Sequence, residues 1–128
     1  MKKRFHSQGP SQRQLRAGEL IRHALADILR RDEVRDPDVA GASVTVTEVS
    51  ASPDLKNATV YVMPLGGRDQ DTVLAGLNRS AKFLRGQLGR EIDMKHTPAL
   101  TFRLDQSFDE GDKVEALLRS EDVRRDLD

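Results

Sequence analysis

One amphipathic stretch, residues 74–92, constrains the fold of this chain more than any other. Its aliphatic side chains recur at helical spacing and share one stripe: Leu74, Leu77, Ala81, Leu84, Leu88 and Ile92. The opposite side is basic and carries Arg79, Lys82 and Arg90. Arg85 lies at the border between the two sides. We therefore expect one helix, or two helices in line, that bury one face on a core and present a cationic face.

The middle of this stretch is a candidate bend. Ser80 and Ala81 are small, Lys82 follows them, and such a step is one place where a helix pair bends. At a bend, backbone N–H groups and basic side chains would meet at an outer corner. We expect the functional contacts of the protein at that corner.

The rest of the chain supplies further helices and a small sheet. A helix capped by Ser11 is predicted over 11–31, with an apolar stripe of Leu15, Gly18, Ile21, Leu25, Ile28 and Leu29. Alternating apolar and polar residues predict three strands, over 42–49, 55–63 and 99–104. Asp69 or Asp71 is expected to cap the helix that leads into residues 74–92.

Details of the strands and of the last helix complete the fold prediction. In the first strand Val44 and Val46 alternate with Thr45 and Thr47, and Pro64 is expected to end the second strand. A last helix is predicted over 106–118, although a glycine weakens it. The order is helix, strand, strand, helix, helix, strand, helix. This predicts an α+β domain in which a three-stranded sheet carries its helices on one face.

Composition limits the function classes. A chain of 128 residues with 4% aromatics suits one domain with an aliphatic core. It has no cysteine, which excludes disulfides and thiol chemistry and agrees with a reducing, cytoplasmic location. No apolar run approaches the roughly 18 residues of a membrane span. We expect a flexible basic arm over 1–10, a domain over 11–119 and a charged tail over 120–128.

The zero net charge hides an uneven distribution. Residues 1–31 hold eight Lys or Arg against two Asp or Glu, whereas residues 105–128 hold four against nine. A basic front and a basic middle helix suit an anionic partner, and the acidic tail does not. A solvated face of mixed charge is the plain alternative.

No motif indicates catalysis or a metal site. His6, His23 and His96 are far apart, and none has a ligand partner at metal-site spacing. The acidic run of Asp109, Glu110 and Asp112 lacks the pattern of a calcium loop. We expect a non-enzymatic protein without cofactor or small-molecule substrate.

The sequence GQLG at residues 86–89 spells GxxG, the loop with which KH domains clamp a nucleic-acid backbone. A break at Gly86 would leave barely one helical turn before the next loop, whereas a break at 80–82 leaves two useful helices. We therefore interpret Gly86 and Gly89 as close-packing positions inside the second helix.

Three stretches, taken in order, resemble the ribosome-binding factor A family, whose fold is a KH-like type II domain. They are SVTVTEVS with PDLKNATVYV within 43–62, LNRSAKFLRGQLG at 77–89, and TPALTFRLD at 97–105. The resemblance covers about residues 11–119. It implies a kink with an Ala-x-Gly signature in place of the KH loop, which falls here on Ser80, Ala81 and Lys82. Because Lys82 replaces the glycine, we expect the kink to persist with Lys82 in ordinary helical or bridge geometry.

The resemblance implies binding to the small (30S) ribosomal subunit or its precursor. It further implies help in late maturation and 5′-end processing of 16S rRNA, linked to growth in the cold, by a protein that is a monomer when free. The predicted RNA-binding residues are Arg79, Ser80, Ala81, Lys82 and Arg85, with Arg13, Arg16 and the Lys2-Lys3-Arg4 arm as secondary phosphate contacts.

Two further expectations concern the mode of recognition. With so few aromatics, recognition of shape and backbone is expected rather than base stacking. The alternative function is a small KH-like protein–protein interaction module.

Overall fold

The computed structural model describes residues 9–66 and 69–106. The elements follow in the order α1 (Gln12–Arg30), β1 (Ser43–Ala51), β2 (Asn57–Leu65), α2 (Gln70–Arg79), α3 (Ala81–Glu91) and β3 (Ala99–Leu104). This confirms the predicted α+β order for the first six elements. The predicted last helix, apart from its first residue, and the tail over 120–128 lie outside the described residues, as does the arm except for residues 9 and 10.

The helix α1 begins at a capping box. The Ser11 hydroxyl accepts from the Gln14 backbone N–H at 3.1 Å, and the Ser11 N–H donates to the Gln14 side chain at 2.9 Å. The buried stripe consists of Ala17, Gly18, Ile21, Leu25 and Ile28. The prediction that Leu15 belongs to it is wrong, because Leu15 is 50% exposed. Gln14 faces the sheet instead and donates to the Ala51 carbonyl at 2.9 Å.

The sheet has the order β1-β2-β3. The strands β1 and β2 are antiparallel, and β3 is parallel to β2, so β2 is the central strand. The three helices cover one face, where Val60, Val62 and Phe102 are almost completely buried. Within the described residues, no helix is both long enough and apolar enough to cross a membrane.

A β-bulge in β1 corrects the predicted alternation. Pairing with β2 shifts between Val46 and Glu48, so that Val49 faces the core although strict alternation from Val46 would turn it outward. Thr47 lies at the shift, and its hydroxyl donates to the Tyr61 carbonyl at 3.3 Å. The extra residue moves the apolar positions of the strand from Val44 and Val46 to Val49 and Ala51, a change of phase that strict alternation overlooks.

The strand β2 continues past the predicted end at Pro64. Pro64 is buried and pairs with Val44 of β1. The Val62 carbonyl accepts from the Asp105 backbone N–H, so the backbone groups of Val62 point toward β3. The backbone groups of every second residue of β2 point the same way, and the pairing with β3 ends at Val62 and Leu104. The Pro64 nitrogen, which carries no hydrogen, therefore lies on the side of β2 where β3 has already ended. No hydrogen bond between strands is lost.

The helices α2 and α3 pack the predicted stripe against the sheet. Leu77, Leu84 and Leu88 are fully buried, and Asp69 caps α2 by accepting from the Asp71 N–H at 3.0 Å. Both glycines of GQLG lie inside α3, which confirms that this GxxG is not a loop. The structure confirms close packing at Gly89, where an added Cβ would lie 3.0 Å from the Thr97 hydroxyl. The same prediction is wrong for Gly86, which has open space around it.

A glycine in α1 sets the distance between that helix and the sheet. A Cβ at Gly18 would lie 2.4 Å from the backbone carbonyl oxygen of Val49, which cannot move without displacing β1. We expect Gly18→Ala to lower the free energy of unfolding by about 1–3 kcal/mol, because the helix must shift away from the strand.

The matched control is Gly86→Ala in α3, where no atom lies within 4 Å of the added Cβ. It should raise stability by roughly 0.5–1 kcal/mol through helix propensity alone. Urea unfolding followed by circular dichroism measures both changes. Equal stability of Gly18→Ala and the parent would contradict the close approach.

Candidate nucleic-acid interface

The helices α2 and α3 meet at a bend centred on Ser80. Its backbone has φ −94° and ψ 7°, which lies in the bridge region between helical and extended conformations. Arg79 is the last residue of α2 and Ala81 the first of α3. This confirms the predicted kink and excludes one straight helix over 74–92. We refer to residues 79–83 as the helix corner.

The kink persists although Lys82 stands at the glycine position of the family signature. Lys82 lies within α3, and the described non-glycine residues with positive φ are Asp32 and Leu55. The bend is thus made at Ser80 in a conformation open to any L-residue, which confirms the expectation for Lys82.

The first turn of α3 has no side-chain cap. Ser80 makes no such hydrogen bond, in contrast to Ser11 at the start of α1. The N–H groups that begin a helix lack helical partners and carry the positive end of its dipole. The corner therefore offers hydrogen-bond donors to an anion, with the Lys82 ammonium beside them.

The corner cations differ sharply in what they contact. Arg79 is held by two aspartates of the α1–β1 loop: its Nε lies 2.8 Å from Asp36 Oδ2, and its Nη2 lies 2.6 Å from Asp38 Oδ2. A second bond of 3.0 Å to Asp36 makes that pair bidentate. We call this group of three residues the Arg79 clamp.

A glycine of α2 makes room for the clamp. A Cβ at Gly76 would lie 2.8 Å from Val39 Cγ2 and 3.1 Å from both Asp36 Oδ1 and Asp38 Cβ. The loop therefore packs directly on α2 at this position. The side-chain hydrogen bond from Arg79 lowers the pKa of Asp36, and the same carboxylate raises the pKa of Arg79.

Arg85 is also engaged, whereas Lys82 is not. The Arg85 Nε donates to the Thr97 carbonyl at 2.9 Å and so supports the loop that leads from α3 to β3. Lys82 is exposed, and none of the residues in 9–66 and 69–106 forms a hydrogen bond or ion pair with its ammonium. Ala81 is half-buried and packs against the core.

The two predicted arginines of α1 lie away from the corner. Arg13 lies beside the β1–β2 turn, with its Nη1 3.5 Å from the Pro53 carbonyl, and Arg16 is exposed one turn further on. The Arg79 clamp instead contacts the loop that follows the other end of α1, about 27 Å along the helix axis. The structure therefore brings Arg79, Ser80, Ala81 and Lys82 together and places Arg13 and Arg16 in a separate region.

The sequence prediction missed several residues at the corner. Phe83 is 46% exposed beside Lys82. The helical period could have shown this, because Leu84 and Leu88 occupy the buried stripe and leave Phe83 off it. The sequence analysis also did not connect Asp36 and Asp38 of the α1–β1 loop with this corner. Within the described residues, no group of three or more potential ligand side chains could hold a metal ion.

The comparison with known proteins decides the family. The sequence model of Ribosome-binding factor A matches residues 13–118. The chain belongs to the ribosome-binding factor A family. A family member from Maricaulis maris is 61% identical over 122 residues, which cover 95% of this chain and 86% of that protein. This confirms the resemblance that the three sequence stretches indicated.

Solved structures of the ribosome-binding factor A family share the fold. The crystal structure of the Thermus thermophilus protein is 26% identical, with a TM-score of 0.59 over 71% of this chain and 94% of that chain. A Thermus thermophilus homology model fitted into a cryo-EM map of a 30S–RbfA complex is 27% identical, with a TM-score of 0.56. It covers 70% of this chain and 91% of that chain.

The Arg79 clamp should give stability a distinct pH dependence. The folded pKa of Asp36 lies below its unfolded value of about 3.9. The contribution of the Arg79 clamp to the free energy of unfolding is therefore present above that pH and is lost as pH falls through the folded pKa. The difference in urea midpoint between the parent and Arg79→Gln should therefore shrink as pH is lowered from about 7 to about 3.

Arg90→Gln is the matched control, because Arg90 donates to the Gln87 amide oxygen at 3.1 Å. The difference in urea midpoint between Arg90→Gln and the parent should change little over the same pH range. An Arg79→Gln difference that is independent of pH would show that the clamp contributes nothing in solution.

Proposed function

We propose that this protein binds the small ribosomal subunit or its precursor and assists late maturation of 16S rRNA, including processing at the 5′ end. The family membership supports ribosome binding, and the Thermus thermophilus relative fitted into a 30S complex map supports the small subunit as the partner. The proposed setting is the cytoplasm, and the proposed free state is a monomer.

The observation that carries the RNA interface is the helix corner itself. An uncapped helix start, a small side chain at the bend and the exposed Lys82 ammonium, which pairs with none of the described residues, lie together at the corner. Phosphate is the anion that such a combination fits, since backbone N–H groups and a mobile cation both bind it well.

The predicted RNA-binding residues divide into distinct proposed roles. Lys82 and the backbone at Ser80 and Ala81 contact phosphate directly. Arg79 holds the bend against the α1–β1 loop, although its side chain remains 53% exposed and can add charge to the surface. Arg85 holds the following loop. Arg13 and Arg16 make secondary contacts with a more distant part of the rRNA.

Binding alone is a sufficient mechanism, and we propose no catalysis. An assembly factor that binds one rRNA conformation more tightly than another shifts the population toward it. Such help matters most in the cold, where misfolded rRNA helices persist longer. Release then follows when the mature conformation no longer matches the binding surface.

Replacement of Lys82 tests this function most simply. We expect Lys82→Ala to weaken binding to purified 30S subunits several-fold at about 0.1 M salt. The slope of log affinity against log salt should become shallower by roughly one, because one phosphate contact is lost. Co-sedimentation across a salt series measures both quantities.

Lys95→Ala is the matched control, since Lys95 is also an exposed lysine and lies beyond the opposite end of α3. It should leave affinity and slope close to those of the parent. Absence of binding by the parent to mature and precursor subunits at low salt would overturn the ribosomal function. The protein–protein interaction module would then be the better hypothesis.

A further inference from the structure

A groove lies beside the helix corner and shares Arg79 and Ser80 with it. It lies between residues 33–36 of the α1–β1 loop and the start of α3, and its volume is about 640 Å³. Ser80, Phe83 and Gln87 line its α3 side. Buried Val34 lies on the side of the loop. The groove is thus an open slot with a partly apolar lining, next to the phosphate-binding point.

Phe83 is the unusual member of this lining. Large aromatic side chains are mostly buried, as Phe102 is in the core with 1% exposure, yet Phe83 remains 46% exposed. Its ring borders the groove rather than the hydrophobic core. An exposed ring next to a cation at a nucleic-acid interface is the arrangement on which unpaired bases stack.

The charges of the groove largely cancel, which suits a neutral ring. Glu33 and Asp36 bring carboxylates into its wall, and Arg35 and Arg79 bring guanidinium groups. Arg79 is paired with Asp36 and Asp38. The groove therefore offers a phosphate no net positive charge, in contrast to the Lys82 ammonium beside it. A nucleobase carries no charge and needs none from the groove.

Polar groups at the far side of the groove match the edge of a base. Gln87 lies one helical turn beyond Phe83, and its amide nitrogen is 3.4 Å from Glu33 Oε1, a long hydrogen bond that a ligand can replace. The Glu33 carboxylate can only accept hydrogen bonds, so it favours a base whose edge carries N–H donors. Guanine presents two neighbouring donors on its Watson–Crick edge, whereas uracil presents one.

We propose that this groove binds an unpaired base of the rRNA, with guanine preferred. The base stacks on Phe83, its Watson–Crick edge faces Glu33 and Gln87, and its phosphate lies at Lys82 and the start of α3. This inference rests on the proposed function and adds a base-specific contact to it. It also revises the expectation, drawn from the low aromatic content, that stacking plays no part.

A titration with nucleotides tests the groove without the ribosome. Amide resonances of the ¹⁵N-labelled full chain are followed by NMR while 5′-GMP, 5′-UMP or ribose 5-phosphate is added. We expect 5′-GMP to shift the Gln87 side-chain amide and the backbone amides of Ser80 and Phe83. The shifts with 5′-UMP should be smaller, and ribose 5-phosphate should leave the Gln87 side chain unmoved. Equal Gln87 shifts with all three compounds, or none, would overturn the proposal.

Variants of Phe83 test the same contact on 30S subunits. Phe83→Ala should weaken binding about tenfold, and Phe83→Trp should retain it, because base stacking is lost in one and kept in the other. The salt slope of Phe83→Ala should equal that of the parent, in contrast to Lys82→Ala, since no phosphate contact is removed. Circular dichroism and urea unfolding confirm that each variant is folded.

The outcomes separate this inference from the proposed function. If the parent binds 30S subunits and Phe83→Ala binds equally well, the function stands and the base site is refuted. If Phe83→Leu binds like the parent while Phe83→Ala does not, an apolar protein contact replaces the base, and the inference is again refuted. If the parent does not bind at all, the proposed function itself fails.

Discussion

The bend at Ser80 depends on burial of leucines on both sides of it. Leu77 of α2 and Leu84 of α3 are each fully buried. The helices have 10 and 11 residues, which is shorter than the roughly 12–15 residues that an isolated helix needs in water. Their stability therefore comes from packing on the sheet, and the direction of each helix follows from its own contact. The bend is the consequence of two short helices that both reach the core.

The fixed bend determines which basic side chains near it are bound to neighbouring loops and which one remains exposed. Arg79 and Arg85 lie on either side of the bend, and the guanidinium of each is bound to a neighbouring loop. Planar guanidinium groups suit such fixed pairing, whereas the flexible ammonium of Lys82 remains exposed. The corner thus combines a rigid frame with one mobile charge. Recognition of a shaped phosphate backbone needs both properties.

The sequence was sufficient for most of the fold because its main signals are local. Helical stripes, strand alternation and the Ser11 cap all depend on residues close together in the chain, and the bend was predicted from three neighbouring residues. The bulge at Thr47 was missed, although the apolar positions change phase from Val44 and Val46 to Val49 and Ala51. Which residue is left out of the ladder is defined only by pairing with the next strand. Arg79 illustrates the same limit for the site: Asp36 lies 43 positions away, and no periodicity connects them.

The central claim is that the helix corner faces the rRNA, and a tethered cleavage probe tests it most directly. The chain has no native cysteine, so a single introduced thiol carries the hydroxyl-radical probe. Gly86→Cys places it on the exposed face of α3 beside the corner, and Thr45→Cys places it on the exposed surface of β1. In complexes with 30S subunits, we expect strong, localised cleavage of 16S rRNA from position 86 and weak cleavage from position 45. Strong cleavage from position 45 with none from position 86 would contradict the claim and assign the RNA interface to the sheet.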